Sequence, residues 1–356
     1  MNNKITIMGS GNTGLSTALK MKNDGHKVCL FELPEFSESL GKNNTEFKLN
    51  INDNQINLKL DLITTNVVEA ISFSKIIIIC VPAYAHKEFA KSISNKISTE
   101  HLVVLMPGTL GSLEFKTILK NNSSEIPILG ETDTSPFVCR KINNNEATIL
   151  GEVPSLGVAI NPKEKTQAYV DKLNSFFHGL ISYKDVIMCG LSSLNPVVHP
   201  AGVILNSGRI EKSNGEFYFY NEGLTESVVR VINSVDSERK NIANHFGHEI
   251  DSVADAFHNA GFGIKGDLLE TISSSKMLTS LKAPGVVNHR WLTEDISYGI
   301  YTWSLLGKKF NIETHTMETL VEMGSILLGI DLKINGRNLD SLGLSDLDIS
   351  EINDYI

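Results

Sequence analysis

A strand, a glycine-rich turn and a helix follow one another at the start of the chain, and this feature constrains the fold most. The segment KITIMGSGNTG places Gly9, Gly11 and Gly14 in GxGxxG spacing, after a β-branched run and before the helical sequence NTGLSTALKMKND. The first glycine permits a tight turn, the second lets the backbone approach a pyrophosphate, and the third packs helix on strand. The helix N-terminus then offers N–H groups to phosphate. A dinucleotide-binding sheet is therefore expected here.

An acid at the end of the next strand bears on the choice of dinucleotide. HKVCLFE ends in Glu32, at the distance from the glycines where a carboxylate holds a ribose 2′-hydroxyl. A carboxylate repels a 2′-phosphate, and the residues Leu33, Pro34 and Glu35 supply no arginine to bind one, so NAD(H) is favoured over NADP(H). The alternative is a glycine-rich turn with a chance acid downstream. The strand before the turn and the helix after it favour the dinucleotide site.

Two later strand ends break the chain where the crevice beyond the sheet should lie. They are Val81-Pro82-Ala83 and Met106-Pro107-Gly108-Thr109. They are interpreted either as a wall beside the ribose and nicotinamide or as ordinary turn chemistry. The predicted cofactor contacts are Gly9, Ser10, Gly11, Asn12, Thr13, Gly14, Glu32, Val81, Pro82 and Ala83.

The first half of the chain alternates short β-branched runs with amphipathic segments, a pattern typical of a parallel sheet covered by helices on both faces. Strands are predicted at 4–8, 27–31, 75–81, 102–106 and 126–130. The run KIIIICVP is continuously apolar, as expected of a strand buried on both faces. Alternating apolar and polar residues predict two inserted antiparallel hairpins, at 46–66 and at 137–153, the second with its turn at 143–145.

Long helical periodicity replaces the strand signals from about residue 191 onward, for example in LTESVVRVINSVDSERKNIANHFG and HRWLTEDISYGIYTWSLLGKKF. We therefore predict an α/β domain of the Rossmann type with a doubly wound parallel sheet, 1–186, followed by an all-α substrate and catalytic domain, 187–356. The two domains should be closely apposed, with a cleft between them. The acidic tail NLDSLGLSDLDISEINDYI is either a docking helix or a mobile end.

Charge and cysteine usage exclude several classes of partner. With a net charge of −9 nothing offsets phosphate repulsion, so neither nucleic acid nor an anionic membrane is expected as a partner. The four cysteines lack a CxxC or a Cys/His ligand spacing, so no disulfide framework and no metal site are expected, and Cys29 and Cys80 should be buried thiols. From its first residues no signal peptide is expected, and its apolar stretches are expected to fall short of membrane-spanning length. A cytoplasmic protein with small soluble ligands is expected.

The helical half contains one segment in which polar residues crowd an apolar sequence. SLNPVVHPAGVILNSGRIE carries Asn195, Pro196, His199, Pro200 and Asn206. The prolines predict an irregular or kinked helix start from which His199 can point into a cleft. An imidazole is the usual general acid/base when a carbonyl or imine is reduced. The alternative is an ordinary surface or core histidine, one of 10 in the chain.

A second constellation of charged residues follows in NHRWLTEDISYG. Asp295 could orient a histidine and stabilise its charge. Arg290 could bind a substrate carboxylate in a bidentate way, since a guanidinium fork matches that geometry. The alternative is a charged, solvated helix face. On the pattern alone, both interpretations stay open.

Taken together, these blocks resemble the opine (octopine/nopaline) dehydrogenase family. HPAGVILNSGRIE, FYFYNEG, ESVVRVINSVDSER and RWLTED resemble the family's helical domain in order and spacing, and the N-terminal fingerprint extends the resemblance over nearly the whole chain. The resemblance implies His199 as acid/base, Asp295 as its partner and Arg290 as the ligand of a substrate carboxylate. Asn195 and Asn206 are further expected substrate contacts.

The resemblance also implies an activity, the NADH-dependent reductive condensation of an amino acid amine with a 2-oxo acid such as pyruvate, and the reverse oxidation. Two alternatives stay open. An NAD-dependent hydroxy acid or glycerol-3-phosphate-type dehydrogenase would consume NADH with an oxo acid alone; such relatives use a lysine after the domain junction, and none follows Lys184 in DVIMCGLSSLNPVVHPAG. A non-catalytic nucleotide-binding redox sensor would bind NADH without turnover. A homodimer is a further expectation.

Overall fold

The computed structural model describes residues 3–41, 45–123 and 125–356. The chain divides into two compact units, of which the first comprises Met1–Gly190 together with Asp354–Ile356 and the second comprises Leu191–Asn353. The predicted division into 1–186 and 187–356 stays a prediction. It places the last three residues in the helical domain.

The first unit contains twelve strands within the described residues, which form two sheets. The strands are β1 (Lys4–Met8), β2 (Lys27–Phe31), β3 (Phe47–Ile51), β4 (Asn54–Leu58), β5 (Leu62–Thr64), β6 (Ile76–Ile79), β7 (Leu102–Leu105), β8 (Ile128–Thr132), β9 (Phe137–Asn143), β10 (Glu146–Glu152), β11 (Leu156–Asn161) and β12 (Leu180–Ser182). The main sheet has the order β12-β11-β8-β7-β6-β1-β2-β5. Each neighbouring pair in it is parallel except β8 and β11. All five predicted core strands are present, whereas β11 and β12 were not predicted.

Helices cover both faces of the main sheet, which makes it doubly wound. They are α1 (Asn12–Asn23), α2 (Val67–Phe73), α3 (His86–Ile93), α4 (Gly111–Asn122) and α5 (Thr166–Leu173). Side chains of one strand alternate between two hydrophobic clusters, so Ile7 belongs to the cluster of α1 and α5, and Met8 to the cluster of α2, α3 and α4. The predicted fold class of this half is confirmed.

The order of the strands fixes where a ligand can bind. The chain passes from β1 to β2 on one side, while β6, β7 and β8 extend the sheet on the other side of β1. The switch of direction therefore lies between β1 and β6, and ligands of open α/β sheets bind beyond the carboxyl ends of the strands at such a point. Gly9 follows β1 and Val81 follows β6 at this position.

A second, four-stranded sheet has the order β4-β3-β10-β9. Its hairpins β3–β4 and β9–β10 are the two predicted ones, although β5, which the first prediction included, belongs to the main sheet. Parallel pairing of β3 with β10 joins the hairpins, and this pairing was not predicted. Phe47 and Ile149 of this sheet lie in the same hydrophobic cluster as Leu15 of α1. The small sheet is thus anchored on the helix that begins at the glycine-rich turn.

Three of the four cysteines are buried thiols. Cys29 and Cys80 lie in the predicted apolar strand segments, and Cys189 is buried as well. Burial raises the pKa of both Cys29 and Cys80 to about 12, so these thiols stay protonated and unreactive. The expectation for Cys29 and Cys80 is confirmed.

The second unit is helical. After α6 (Val186–Leu191), which leads into it, come α7 (Asn195–Leu205), α8 (Ser207–Ser213), α9 (Glu226–His245), α10 (Val253–Asn259), α11 (Leu268–Ser274), α12 (Lys276–Thr279), α13 (Arg290–Glu294), α14 (Tyr301–Lys309), α15 (His315–Leu328), α16 (Leu339–Leu342) and α17 (Ile349–Tyr355). Two π-helical turns, Phe219–Gly223 and Asp295–Ile300, interrupt this pattern. A buried ion pair stabilises the interior: Arg239 Nη2 lies 2.5 Å from Asp236 Oδ1, and Arg239 Nη1 donates to the Leu191 carbonyl at 2.7 Å.

One expectation about apolar stretches needs correction. Val186–Leu205 is long and apolar enough to cross a membrane by length and composition, although no stretch of that kind was expected. Its most apolar window is 78% buried inside the protein, as in the core helix of a globular domain. Polar residues also interrupt the segment between α6 and α7.

The end of the acidic tail is a docked helix. Tyr355 of α17 stacks under the ammonium groups of Lys116 and Lys120 of α4, whose Nζ atoms lie 3.9 and 4.4 Å from the ring centre. Lys116 also donates to the Tyr355 carbonyl, and Ile356 is 2% exposed. Of the two interpretations of the tail, docking is therefore the one that the structure supports at its end.

Candidate active site

The glycine-rich turn has the geometry that its spacing predicts. Gly9 has φ +101°, and a Cβ there would lie 2.4 Å from a methyl group of Val81. A Cβ on Gly14 would lie 1.9 Å from the carbonyl oxygen of Gly9. A side chain would clash with neighbouring atoms at both positions. At Gly9 the positive φ also disfavours any residue other than glycine.

Gly11 differs from the other two glycines because a Cβ there would meet nothing within 4 Å. The absence of a side chain is not required by the protein's own packing, and it leaves a cradle at the N-terminus of α1. Gly11 is the N-cap residue of this 12-residue helix, and because glycine has no side chain, the N-cap residue gives the first turn no side-chain hydrogen bond. Open space beside exposed helix N–H groups is what a pyrophosphate requires. These residues fit a dinucleotide.

Glu32 lies at the end of β2 and is 7% exposed. Its Oε2 accepts hydrogen bonds from the backbone N–H of Ser10 at 2.7 Å and from the Ser10 hydroxyl at 2.9 Å. Its Oε1 accepts the N–H of Leu33 at 3.0 Å. The carboxylate is therefore fixed against the glycine-rich turn, and two oxygens with about four acceptor positions retain capacity for ribose hydroxyls.

The small sheet brings a lysine to the same place, which the sequence did not reveal. The Lys141 ammonium donates to the carbonyls of Ser10 at 2.9 Å and Ser39 at 2.8 Å. Its backbone N–H donates to the side chain of Asn12 at 2.9 Å. Burial lowers the pKa of Lys141, and the charge of Glu32 acts in the opposite direction. Parallel pairing of the two hairpins could not be read from their separate patterns, so this contact was missed.

The other predicted cofactor residues lie around the same turn. Val81 packs against Gly9, and Pro82 precedes the short 3₁₀ turn Ala83–Ala85. The Thr13 hydroxyl lies 3.4 Å from that of Ser135. Residues 106–109, interpreted as a wall or a turn, lead into a segment held by a buried acid: Glu131 accepts the N–H groups of Leu110 and Ser112 at 2.8 and 2.9 Å. Which of these contact the cofactor stays a prediction.

His199 lies within α7 of the helical unit. Pro196 occupies the first turn of this helix, where its missing N–H costs nothing. The helix also contains Pro200, which supplies no N–H for an i→i−4 hydrogen bond. His199 lies between the two prolines, in the second turn of α7, and is 5% exposed. The kink expected from these prolines stays a prediction.

A buried carboxylate holds the imidazole of His199. Its Nδ1 lies 2.8 Å from Oδ2 of Asp295, and the two side chains are 6% and 13% exposed. An ionised carboxylate only accepts hydrogen bonds, so the proton of neutral His199 is on Nδ1 and Nε2 is the acceptor. Asp295 begins a π-helical turn, a rare feature that is frequent at functional sites. The structure brings together the two residues that the sequence placed almost a hundred positions apart.

Two aromatic residues complete the surroundings of His199, and the sequence did not single them out. The Tyr220 hydroxyl, on the other π-helical turn, lies 3.2 Å from Nε2. Burial, and then the charge of Asp295, raise the pKa of Tyr220, so its hydroxyl stays protonated and donates. Trp291 stacks on the imidazole with ring centres 4.3 Å apart and an angle of 11°. Tyr220 lies in FYFYNEG and Trp291 in RWLTED, two of the blocks that carry the family resemblance. That resemblance was the sequence evidence from which these two residues could have been identified.

The predicted substrate residues differ in their engagement. The Arg290 side chain is 54% exposed, with Nε 3.6 Å from a carboxylate oxygen of Glu294, so much of its guanidinium surface faces solvent. Asn195 is exposed at the first residue of α7. The Asn206 amide nitrogen donates at 2.9 Å to the carbonyls of both Gly202 and Gly223, which ties α7 to the turn that carries Tyr220.

A turn shaped for a dinucleotide and a buried histidine–aspartate pair define a nucleotide-dependent dehydrogenase. Two family models match the chain accordingly. Residues 4–121 match the N-terminus of NAD-dependent glycerol-3-phosphate dehydrogenase, and residues 182–328 match the α-helical domain of NAD/NADP octopine/nopaline dehydrogenase.

Relatives extend the match over most of the chain. An opine dehydrogenase from Arthrobacter sp. (strain 1C) is 31% identical over 288 residues, which cover 81% of this chain and 80% of that protein. A structure of octopine dehydrogenase with NADH and L-arginine has a TM-score of 0.73 at 19% identity, covering 94% and 92% of the two chains. NADP⁺-bound yersinopine dehydrogenase has a TM-score of 0.75 at 12% identity, covering 100% and 99%. The chain belongs to the opine dehydrogenase family. It is an NAD-dependent oxidoreductase, so the predicted family and enzyme class are confirmed.

Proposed function

We propose that His199 is the proton donor and acceptor in the reductive condensation of an amino acid with a 2-oxo acid. The observation that carries this assignment is the 2.8 Å contact between His199 Nδ1 and Asp295. Because Nδ1 is engaged by a carboxylate, only Nε2 can exchange a proton with a substrate. Asp295 holds the ring in this tautomer and stabilises the imidazolium when Nε2 is protonated.

The proposed reaction has two steps, formation of an imine and its reduction. The amine attacks the keto carbon of the oxo acid, and loss of water gives a C=N bond. When bound, NADH would supply the hydride for that carbon and a proton would go to the nitrogen, which gives NAD⁺ and a secondary amine. His199 Nε2 is suited to accept the proton that the amine loses and to donate one as water departs. Trp291, stacked on the imidazole, stabilises its charged form by a cation–π interaction.

Arg290 is proposed to bind a substrate carboxylate. Its guanidinium is half exposed, and its Nε lies 3.6 Å from a carboxylate oxygen of Glu294, which is too long for a strong hydrogen bond. A bidentate carboxylate would therefore be a better partner than the one it has. Asn195 and Asn206 are proposed as weaker polar contacts of the substrate. The amide nitrogen of Asn206 already donates to two backbone carbonyls, so its side-chain oxygen is the group that can contact the substrate.

The cofactor residues belong to the same proposal. The N-terminal domain, 1–186, would bind NAD(H) through Gly9 to Gly14, with Glu32 on the ribose and residues 81–83 beside the turn. The helical domain, 187–356, would hold the substrates. NADP(H) is expected to bind more weakly, because Glu32 repels a 2′-phosphate.

Location and assembly are further parts of the proposal. Four free thiols support a reducing compartment and hence the cytoplasm. A homodimer is supported by exposed apolar side chains at helical spacing on and after α15, namely Met323, Ile326, Leu327 and Ile330. Light scattering would report the mass in solution, and a monomer at micromolar concentration would contradict the dimer.

A matrix of 2-oxo acids against amino acids, followed by NADH absorbance, tests the reaction. We expect NADH consumption only when both substrates are present, and a fall in turnover of about a hundredfold or more for His199→Ala. Consumption with an oxo acid alone would indicate a hydroxy acid dehydrogenase. Tight NADH binding without consumption in any pair would indicate a nucleotide sensor. His248→Ala, at a buried histidine of the same unit, is the matched control.

A further inference from the structure

The charge of Lys141 has no acidic partner at hydrogen-bonding distance among the described residues. Its ammonium donates to two backbone carbonyls, those of Ser10 and Ser39, and both acceptors are neutral. Ammonium groups in such partly buried positions usually have a carboxylate partner, because desolvated charge is costly without one. The nearby acid that acts on Lys141 through its charge is Glu32.

Lys141 and Glu32 both bind Ser10 of the glycine-rich turn, through different groups of that residue. Glu32 binds the N–H and the hydroxyl of Ser10, whereas Lys141 binds the carbonyl of that residue. The Ser10 hydroxyl also contacts the hydroxyl of Ser39. One hydrogen-bonded network therefore contains a fixed anion and a fixed cation, at the end of β2, where the ribose of the adenosine half is expected.

The small sheet holds the segment after β2 in place as well. The Asn144 amide donates to the Glu38 carbonyl at 2.5 Å, next to the Lys141 contact with Ser39. Lys141 is anchored in β9, whose backbone also contacts Asn12 of α1. Its ammonium is therefore held at this site by two carbonyl contacts, and its strand is hydrogen-bonded to α1.

We propose that Lys141 is a second determinant of cofactor choice, the cation that a 2′-phosphate would meet, and that Glu32 offsets its charge in favour of NAD(H). The proposal depends on the cofactor site assigned under Proposed function. It implies that the preference is set by a balance of two opposite charges. Removing the anion alone should therefore convert the site toward NADP(H), and this conversion should require the lysine.

Binding titrations of NADH and NADPH, followed by cofactor fluorescence, test the proposal without turnover. The quantity compared is the ratio of Kd for NADPH to Kd for NADH. We expect Glu32→Gln to lower this ratio by about tenfold or more, and the added change Lys141→Met to raise it again by about tenfold, because a charge-assisted contact to phosphate is lost. Lys141→Arg in the Glu32→Gln background should keep the low ratio.

Controls separate charge recognition from positioning of the turn. Lys48→Met, at an exposed lysine of the same small sheet, should leave the ratio unchanged in the Glu32→Gln background. If Lys141→Met in the Glu32→Gln background weakens the binding of NADH and NADPH equally, Lys141 only positions the turn and the proposal is overturned. If Lys141→Met changes the Kd of neither cofactor in that background, the proposal is overturned as well. A wild-type protein that binds NADPH as tightly as NADH, or neither of them, would overturn the Glu32 assignment itself.

Discussion

Replacing Asp295 by asparagine isolates the charge in the pair that it forms with His199. The side chain keeps its shape, and its Oδ1 can still accept the proton of Nδ1, so the loss is that of a charged acceptor at 2.8 Å. Both partners are at least 87% buried, and screening by solvent is therefore small. Hydrogen bonds to charged groups contribute about 1.5–3 kcal/mol and neutral ones about 0.5–1.5 kcal/mol, so the change costs about 1–1.5 kcal/mol. With about 1.36 kcal/mol for each factor of ten, kcat/KM should fall by about 5- to 13-fold.

Steady-state NADH consumption at varied concentrations of amino acid and oxo acid measures this change, and a fluorescence titration measures the affinity for NADH. Affinity should stay within about twofold, because Asp295 belongs to the helical unit. Asp346→Asn, at an exposed position of that unit, is the control and should match the wild type. Full kcat/KM in the Asp295 variant, or a loss of NADH affinity equal to the loss of turnover, would refute the reasoning.

Three further outcomes follow from single side chains. Gly14→Ala would place a Cβ 1.9 Å from the Gly9 carbonyl, so thermal unfolding should show a Tm lower by more than about 5 °C. Gly11→Ala meets no atom within 4 Å, so it should keep the Tm but weaken NADH binding about tenfold. Equal effects of the two variants on Tm and on NADH binding would contradict the different roles of the two glycines. Tyr220→Phe should lower kcat/KM about two- to tenfold without a change in NADH affinity, and no effect would remove Tyr220 from the His199 network. Burial raises the pKa of Asp133 from 3.8 to about 7, so the folded state binds a proton that the unfolded state has lost. Stability should therefore fall as pH rises from about 4 to about 7, by up to about 4 kcal/mol, and Asp133→Asn should flatten this dependence in denaturant titrations.

The sheet around the cofactor could be predicted because its signals are local. Continuous apolar runs such as β6 and the alternation in β3 and β4 identify each strand separately. The glycine positions follow from steric requirements that one turn imposes on itself. Pairing between distant hairpins obeys no local rule, and Lys141 was therefore missed. β12 has only three residues, and β11 follows a bend at residue 154. The burial of both strands depends on partners elsewhere in the sheet.

The helical site shows a similar limit. The candidates His199 and Asp295 came from residue type and family resemblance, and the structure adds that they touch. Tyr220 lies on a π-helical turn, where the usual helical spacing does not indicate which side chains share a face. Trp291 reaches His199 by stacking, an interaction without a spacing rule along the chain. Asn206 was predicted as a substrate contact, but the structure shows its amide bound to two backbone carbonyls.

The identity of the product tests the account most directly. Incubation with an oxo acid, an amino acid and NADH deuterated at the transferable position, followed by mass spectrometry, reports both bond formation and hydride transfer. A secondary amine that carries one deuterium on the carbon derived from the oxo acid is predicted, and His199→Ala should suppress its formation. A deuterated hydroxy acid in its place, with the amino acid recovered unchanged, would contradict the account.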